Sequence, residues 1–305
     1  MILKIESKDQ IDYHAQAFNK QALPDLQKAG PISASLLGNM KDPLKFMTSK
    51  PKLETTDMAW GSLVDLMWLT PEDWSKHTVL LPENAPKKPT VPQLNAAKPT
   101  AKAIESIDYW RAFNKKSVGK MVLTKELKAE VEQAVSMLNA NPLSKYIFES
   151  SEKQVILRGE SDQLHPDGQS LKAKAMMDLL PQDGQVTIDG KTLNLDTCVV
   201  DLKQCHDVSE YGMKRAIINF QYHLKTEWYL NMLRASGDEK RVNSILIFQN
   251  SSEPRDVHVR AICSEDLDKG RMSAIARISM LRIIDPNNFS NLLDTEVKVI
   301  STSFK

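Results

Sequence analysis

At 305 residues and 34.4 kDa the chain is long enough for one large domain or two modest ones, and 41% hydrophobic with 26% charged residues is ordinary globular composition. Forty Lys and Arg against 39 Asp and Glu leave a formal net charge of +1. That excludes a basic coat, so any nucleic-acid contact has to come from a local patch. No apolar run reaches the ~20 residues of a membrane span, and Met1 to Gln10 mixes charges with apolar residues, unlike a signal peptide; a soluble, cytoplasmic protein is expected. Cys198, Cys205 and Cys263 contain no C-x-x-C pair, which argues against a disulfide framework and a four-thiolate metal site.

In chain order, Ile32 to Leu37 predicts a helix start with Ser33 or Ser35 as N-cap. Leu63, Leu66, Met67 and Leu69 predict a buried helix that stops before Pro71, with Asp65 inside the apolar run. A carboxylate there costs free energy unless it is paired or binds a metal, or unless its position simply faces water. Pro82, Pro86, Pro89, Pro92 and Pro99, interleaved with Lys87, Lys88 and Lys98, predict an extended linker or mobile loop over 81–103. It separates an N-terminal helical part, 1–80, from a core spanning 104–305. Trp110 and Phe113 beside it read as a helix-packing pair.

After the break, Thr124 caps a predicted helix carrying Leu127, Val131, Ala134, Val135 and Leu138, with Asn141-Pro142 past its end. Strands are predicted over 154–158, 170–180 and 198–203, with turn chemistry at Asp183-Gly184 and Asp189-Gly190. Met213, Ile217, Phe220, Leu224 and Trp228 then form a helical stripe along one long helix over 209–234, with Lys214, Gln221 and Lys225 on a polar face. Two more strands, 244–248 and 256–261, and a helix over 266–281 complete an α/β or α+β reading: a mixed central β-sheet flanked by helices.

Asp201 and Lys203, two apart on a strand, leave the same sheet face. Asp178 ends the preceding long strand, and a hairpin or meander brings it beside Asp201. Two close carboxylates repel unless a proton or a cation lies between them. A hard oxygen site of this kind suits Mg²⁺ or Mn²⁺, and an adjacent lysine can orient water and stabilise charge on phosphorus. The alternative for Asp201 and Lys203 is a strand-end ion pair in solvent. Lys172 and Lys174 share the Asp178 face. His206 and His223 lack the spacing of a metal pair and read as structural.

Lys174-Ala175-Met176-Met177-Asp178, then Val199-Val200-Asp201-Leu202-Lys203, then Ala216 to Tyr229 follow in order. The sequence resembles the PD-(D/E)xK nucleases, in particular the exodeoxyribonuclease VIII (RecE-type) branch of phages and prophages. Upstream, Pro31 to Ser35, Gly61 to Asp65 with Pro71, and Gly119 to Thr124 extend the likeness over about residues 30–265. The resemblance implies a restriction-endonuclease-like core. It makes Asp65, Asp178 and Asp201 metal-binding carboxylates with the Leu202 carbonyl, and Lys203 the catalytic lysine. Lys174, Gln221, Lys225, Tyr229 and Ser35 become DNA contacts, and Gln154 a supporting residue.

The sequence departs from that pattern at three positions. Asp65 stands where the family usually has His, Gln154 where it often has Glu, and Lys225-x-x-x-Tyr229 where it has Gln-x-x-x-Tyr. The implied activity is a Mg²⁺-dependent exonuclease, Mn²⁺ substituting, with two ions per site. It digests linear double-stranded DNA from 5′ ends and leaves 3′ single strands for a single-strand annealing protein of RecT or beta type. A ring-like homo-oligomer and no membrane association are implied as well. A catalytically inactive nuclease-fold DNA-binding phage protein and a PD-(D/E)xK endonuclease are the alternatives.

Overall fold

A computed structural model of the chain describes residues 2–6, 17–49 and 55–287, so part of the stretch compared with a signal peptide lies outside the described residues. In chain order the elements begin with β1 (Ile2–Glu6), α1 (Ala34–Asn39), α2 (Pro43–Thr48), α3 (Thr56–Leu69), β2 (Thr78–Leu80), α4 (Ala101–Lys116), β3 (Met121–Leu123), α5 (Lys125–Ala140) and α6 (Pro142–Glu149). There follow β4 (Ser151–Ser161), β5 (Leu171–Pro181), β6 (Gln185–Ile188), β7 (Lys191–Asn194), β8 (Cys198–Cys205), α7 (Glu210–Asn219), α8 (Tyr222–Ala235), β9 (Asn243–Asn250), β10 (Val257–Ala261) and α9 (Ser264–Leu281). Short one-turn helices lie between some of them. The chain divides into a larger unit, Met1–Thr56 with Leu138–Lys305, and a smaller one, Asp57–Met137.

The larger unit is built on a six-stranded sheet in the order β1-β4-β5-β8-β9-β10. Strands β8 and β9 run parallel, and the other neighbours are antiparallel. Alternation along the strands sends Val155, Leu157, Ala173, Ala175, Met177, Val199, Leu246 and Phe248 into one apolar cluster with α8, whose Leu224, Trp228 and Met232 are fully buried. The residues between them, Ile156, Val200, Leu202, Ile245 and Ile247, are buried too, so both faces of the central strands are covered. Helix α8 is anchored on the sheet where the indole of Trp228 donates 3.2 Å to the Lys174 carbonyl. Helix α9 crosses α8 at Gly270, where a Cβ atom would lie 2.4 Å from the His223 carbonyl oxygen.

The smaller unit holds α3, α4, most of α5 and the parallel pair β2–β3. Leu63, Leu66 and Leu69 are buried on α3, as expected, whereas Met67 is half-buried; Val64 and Trp68 are buried too, and the helix stops before Pro71. The Pro/Lys stretch lies inside this unit. Proline withholds a donor but keeps its carbonyl. Trp110 Nε1 donates 2.9 Å to the Pro86 oxygen, and Ser106 Oγ donates 2.7 Å to that of Lys87, which docks the stretch on α4. Trp110 and Phe113 pack edge to face with 5.6 Å between ring centroids.

One local expectation is borne out and extended, and another is corrected. Asn141-Pro142 follows the end of α5, as expected, and also starts α6: the Asn141 side chain accepts from Ser144 N at 3.0 Å, and Pro142 supplies a first-turn residue that needs no donor. The long helix over 209–234 is two helices, because Gln221 takes a left-handed backbone with φ of 59°. The break throws Phe220 out of the expected buried stripe, leaving it 58% exposed.

Candidate active site

Strands β5 and β8 pair antiparallel at Leu179 and Val200, and Asp178 and Asp201 are the residues next to that pair on the two strands. Both are buried, Asp201 to 2% exposure. Asp178 Oδ2 accepts the Leu202 backbone N–H at 2.8 Å. The Lys203 ammonium, carried on the same face as Asp201, forms an ion pair with Asp201 Oδ2 and donates 3.0 Å to the Leu202 carbonyl. Burial pushes the Asp178 carboxyl above its ordinary range, and the Lys203 charge and the Leu202 N–H only partly offset this. Buried carboxylates on neighbouring strands are relieved by a proton or by a bound cation between them.

Opposite Asp178 in the β4–β5 ladder stands Gln154, between the pairs Lys153–Leu179 and Val155–Met177. It is 3% exposed and has φ of 52°, so a strained residue sits directly across from the acidic pair. On the helix side, the Tyr222 ring lies under two ammonium groups: Lys203 Nζ is 5.3 Å from its centroid and Lys225 Nζ is 5.4 Å.

The other expected site residues are distributed less simply. Lys225 is half-buried beside Tyr222, and Tyr229 packs against the main core. Gln221 is buried; its amide donates to the Ile218 carbonyl and its oxygen accepts from Arg277, both at 2.7 Å. The helix break therefore dissolves the expected polar face, and Lys214 stays outside it, paired with Glu210 at 2.6 Å. Lys174 is buried at 8% exposure, and burial together with Arg158 lowers its pKa. Ser35 is exposed on α1, whose N-cap is Ser33, accepting from Leu36 N at 3.2 Å. Asp65 is half-buried on α3 in the smaller unit. His206 bonds Ser251 at 2.9 Å, consistent with a structural role.

Tyr222 and Arg277 carry no expectation from sequence. Tyr222 falls within the continuous helix read there and off its apolar stripe. Arg277 reaches Gln221 only through tertiary folding, donating also to the Leu37 carbonyl at 2.7 Å.

The donors at Asp178, Asp201 and the Leu202 carbonyl are all hard oxygens, a set that fits Mg²⁺ or Mn²⁺ and not a thiophilic ion. Among the described residues, no group of three or more His, Cys, Asp and Glu side chains forms a metal cage. An ion held by these donors needs water or substrate oxygens to complete its shell, which is the habit of Mg²⁺.

No protein-family model matches the chain, and no curated protein sequence does either. Among solved structures, the chain is similar to a protein from Eubacterium rectale named "Putative exonuclease", with a TM-score of 0.50 and 15% identity over 92% of this chain and 86% of that one. At that identity the likeness is one of fold: a mixed β-sheet flanked by helices. A second structure, of SSO0001, is 12% identical over 88% of this chain and 94% of that one; its TM-score of 0.28 carries no argument. Among the described residues, no helix is long and apolar enough to cross a membrane.

Proposed function

We propose that the chain is a divalent-metal-dependent DNA exonuclease with a PD-(D/E)xK core. The observation that carries this reading is the apposition of buried Asp178 and Asp201 across β5 and β8, with the Lys203 ammonium on Asp201 and the Leu202 carbonyl. The fold likeness to the Eubacterium rectale protein supports it.

In this reading Asp178, Asp201 and the Leu202 carbonyl would hold Mg²⁺, for which Mn²⁺ would substitute. An ion bound there would supply Lewis acidity, making water nucleophilic near neutral pH and offsetting phosphoryl charge. Lys203, half-buried and donating, holds the attacking water and stabilises the charge that develops on the phosphate oxygens. Water adds to phosphorus and gives up a proton to solvent as the bond to the leaving oxygen breaks, and that oxygen takes up a proton from solvent. The Leu202 N–H on Asp178 fixes the rotamer of that carboxylate, so the oxygens are set before substrate arrives.

The substrate in this reading is linear duplex DNA, digested 5′→3′ within a ring-like homo-oligomer, with a single-strand annealing protein taking up the 3′ strand. These particulars rest on the resemblance of the sequence motifs. A catalytically inactive DNA-binding protein is a second reading, favoured by the amide Gln154 opposite Asp178.

Incubation with linear and covalently closed circular duplex DNA, in Mg²⁺ or EDTA, tests the proposal. Loss of the linear form alone, stopped by EDTA, supports the exonuclease. Cutting of closed circles assigns an endonuclease, and binding without digestion assigns the inactive protein.

A further inference from the structure

Phe220 is large, apolar and 58% exposed. An isolated exposed apolar residue needs no explanation, but four observations set this one apart. Its ring stacks on Tyr222, with centroids 5.6 Å apart and 24° between the planes. The same Tyr222 ring lies 5.3 Å from Lys203 Nζ and 5.4 Å from Lys225 Nζ. The following residue, Gln221, is held at φ of 59°, a left-handed conformation that costs free energy in a non-glycine residue. Gln221 is also buried and gripped by Arg277, which ties it to the Leu37 carbonyl. The break between α7 and α8 is thus built in place, and what it presents to solvent is an aromatic face stacked on the ring that the two lysines also contact.

We infer that Phe220 is a stacking surface for an unpaired base of the DNA strand whose phosphate lies at Lys203. This rests on the nuclease reading and extends it to how the strand end is held. A polyanion that approaches Lys203 and Lys225 brings bases within reach of the adjoining ring. A ring backed by the buried Tyr222 offers its free side to any base without selecting among the four, because every base has a π-face. Aromatic rings interleaved with cations are the usual composition of a single-strand path.

The probe is a DNA duplex with a short single-stranded 5′ extension carrying 2-aminopurine, mixed in EDTA with the wild type, Phe220→Ala and Phe220→Tyr. Stacking on Phe220 quenches the probe on binding. Phe220→Ala is expected to lose the quench and to bind about tenfold or more weakly, while Phe220→Tyr keeps both. In Mg²⁺, Phe220→Ala raises KM for digestion more than it lowers kcat. Since Phe220 is exposed, thermal melting of the alanine variant should match that of the wild type, so a binding loss is not a folding loss. If Phe220→Ala quenches and binds like the wild type while Lys203→Ala no longer digests DNA, the stacking inference is overturned and the nuclease reading stands. If the wild type neither binds this duplex nor digests it, both are overturned.

Discussion

The Leu202 backbone N–H donates to Asp178 Oδ2 at 2.8 Å, so the strand that carries Asp201 and Lys203 also orients the carboxylate of its neighbour. Asp178→Ala removes both a charge and an acceptor and leaves a buried N–H unpaired, at about 1–3 kcal/mol. Asp178→Asn keeps the acceptor. We predict that both variants lose metal-dependent DNA digestion, but that only Asp178→Ala is clearly destabilised, as read by denaturant unfolding.

The close crossing of α8 and α9 at Gly270 predicts a second stability effect. A methyl group there meets the His223 carbonyl carbon at 2.8 Å and its oxygen at 2.4 Å, both backbone atoms that cannot swing aside. Gly270→Ala is expected to cost about 1–3 kcal/mol, the usual range for overpacking. Chemical denaturation measures it. An unchanged midpoint would show that the two helices do not pack as described.

Gln154 supplies a backbone prediction. With φ of 52°, a β-branched side chain is strained there, whereas glycine is not. Gln154→Val should therefore be less stable than Gln154→Gly by about 1–3 kcal/mol. The order of the two unfolding midpoints checks this, and the reverse order would mean that β4 runs straight past Asp178.

His223 gives a pH dependence. Burial lowers its pKa below 6.5, more than the Ile217 carbonyl and Asp266 raise it, while Arg277 and Lys269 lower it further. Below 6.5 the unfolded chain takes up a proton that the folded protein accepts only at lower pH. Stability therefore falls as pH drops through 6.5 towards the depressed folded value. His223→Gln, which takes up no proton, should show a smaller loss of melting temperature between pH 7.5 and 5.5. A steeper loss would contradict the burial argument.

The strand and helix periods carried much of this architecture. Strands over 170–180 and 198–203 appear as β5 and β8, and the helix over 266–281 as α9, because their apolar spacing is the spacing of the core they build. The pairing of Asp178 with Asp201 was legible from two strands joined through tight turns. The hairpin β6–β7 supplies them, with its Asp189-Gly190 turn at φ of 50° and 78°. The break at Gln221 was not legible, since no Gly or Pro marks it. It is held by Arg277, more than fifty residues away in sequence, and local pattern cannot register such a tie. The docking of the Pro/Lys stretch is not legible for a related reason: its carbonyls find partners in Ser106 and Trp110, which its own composition does not reveal.

The measurement that bears most directly on the acidic pair and its lysine is single-turnover digestion of end-labelled linear duplex DNA in Mg²⁺ by the wild type and Lys203→Ala, with binding measured in parallel. The rate with Lys203→Ala should fall by about 10²–10³-fold, the loss expected for one electrostatic donor to the transition state, while DNA affinity changes little. Digestion by Lys203→Ala at the wild-type rate would place the chemistry elsewhere in the protein.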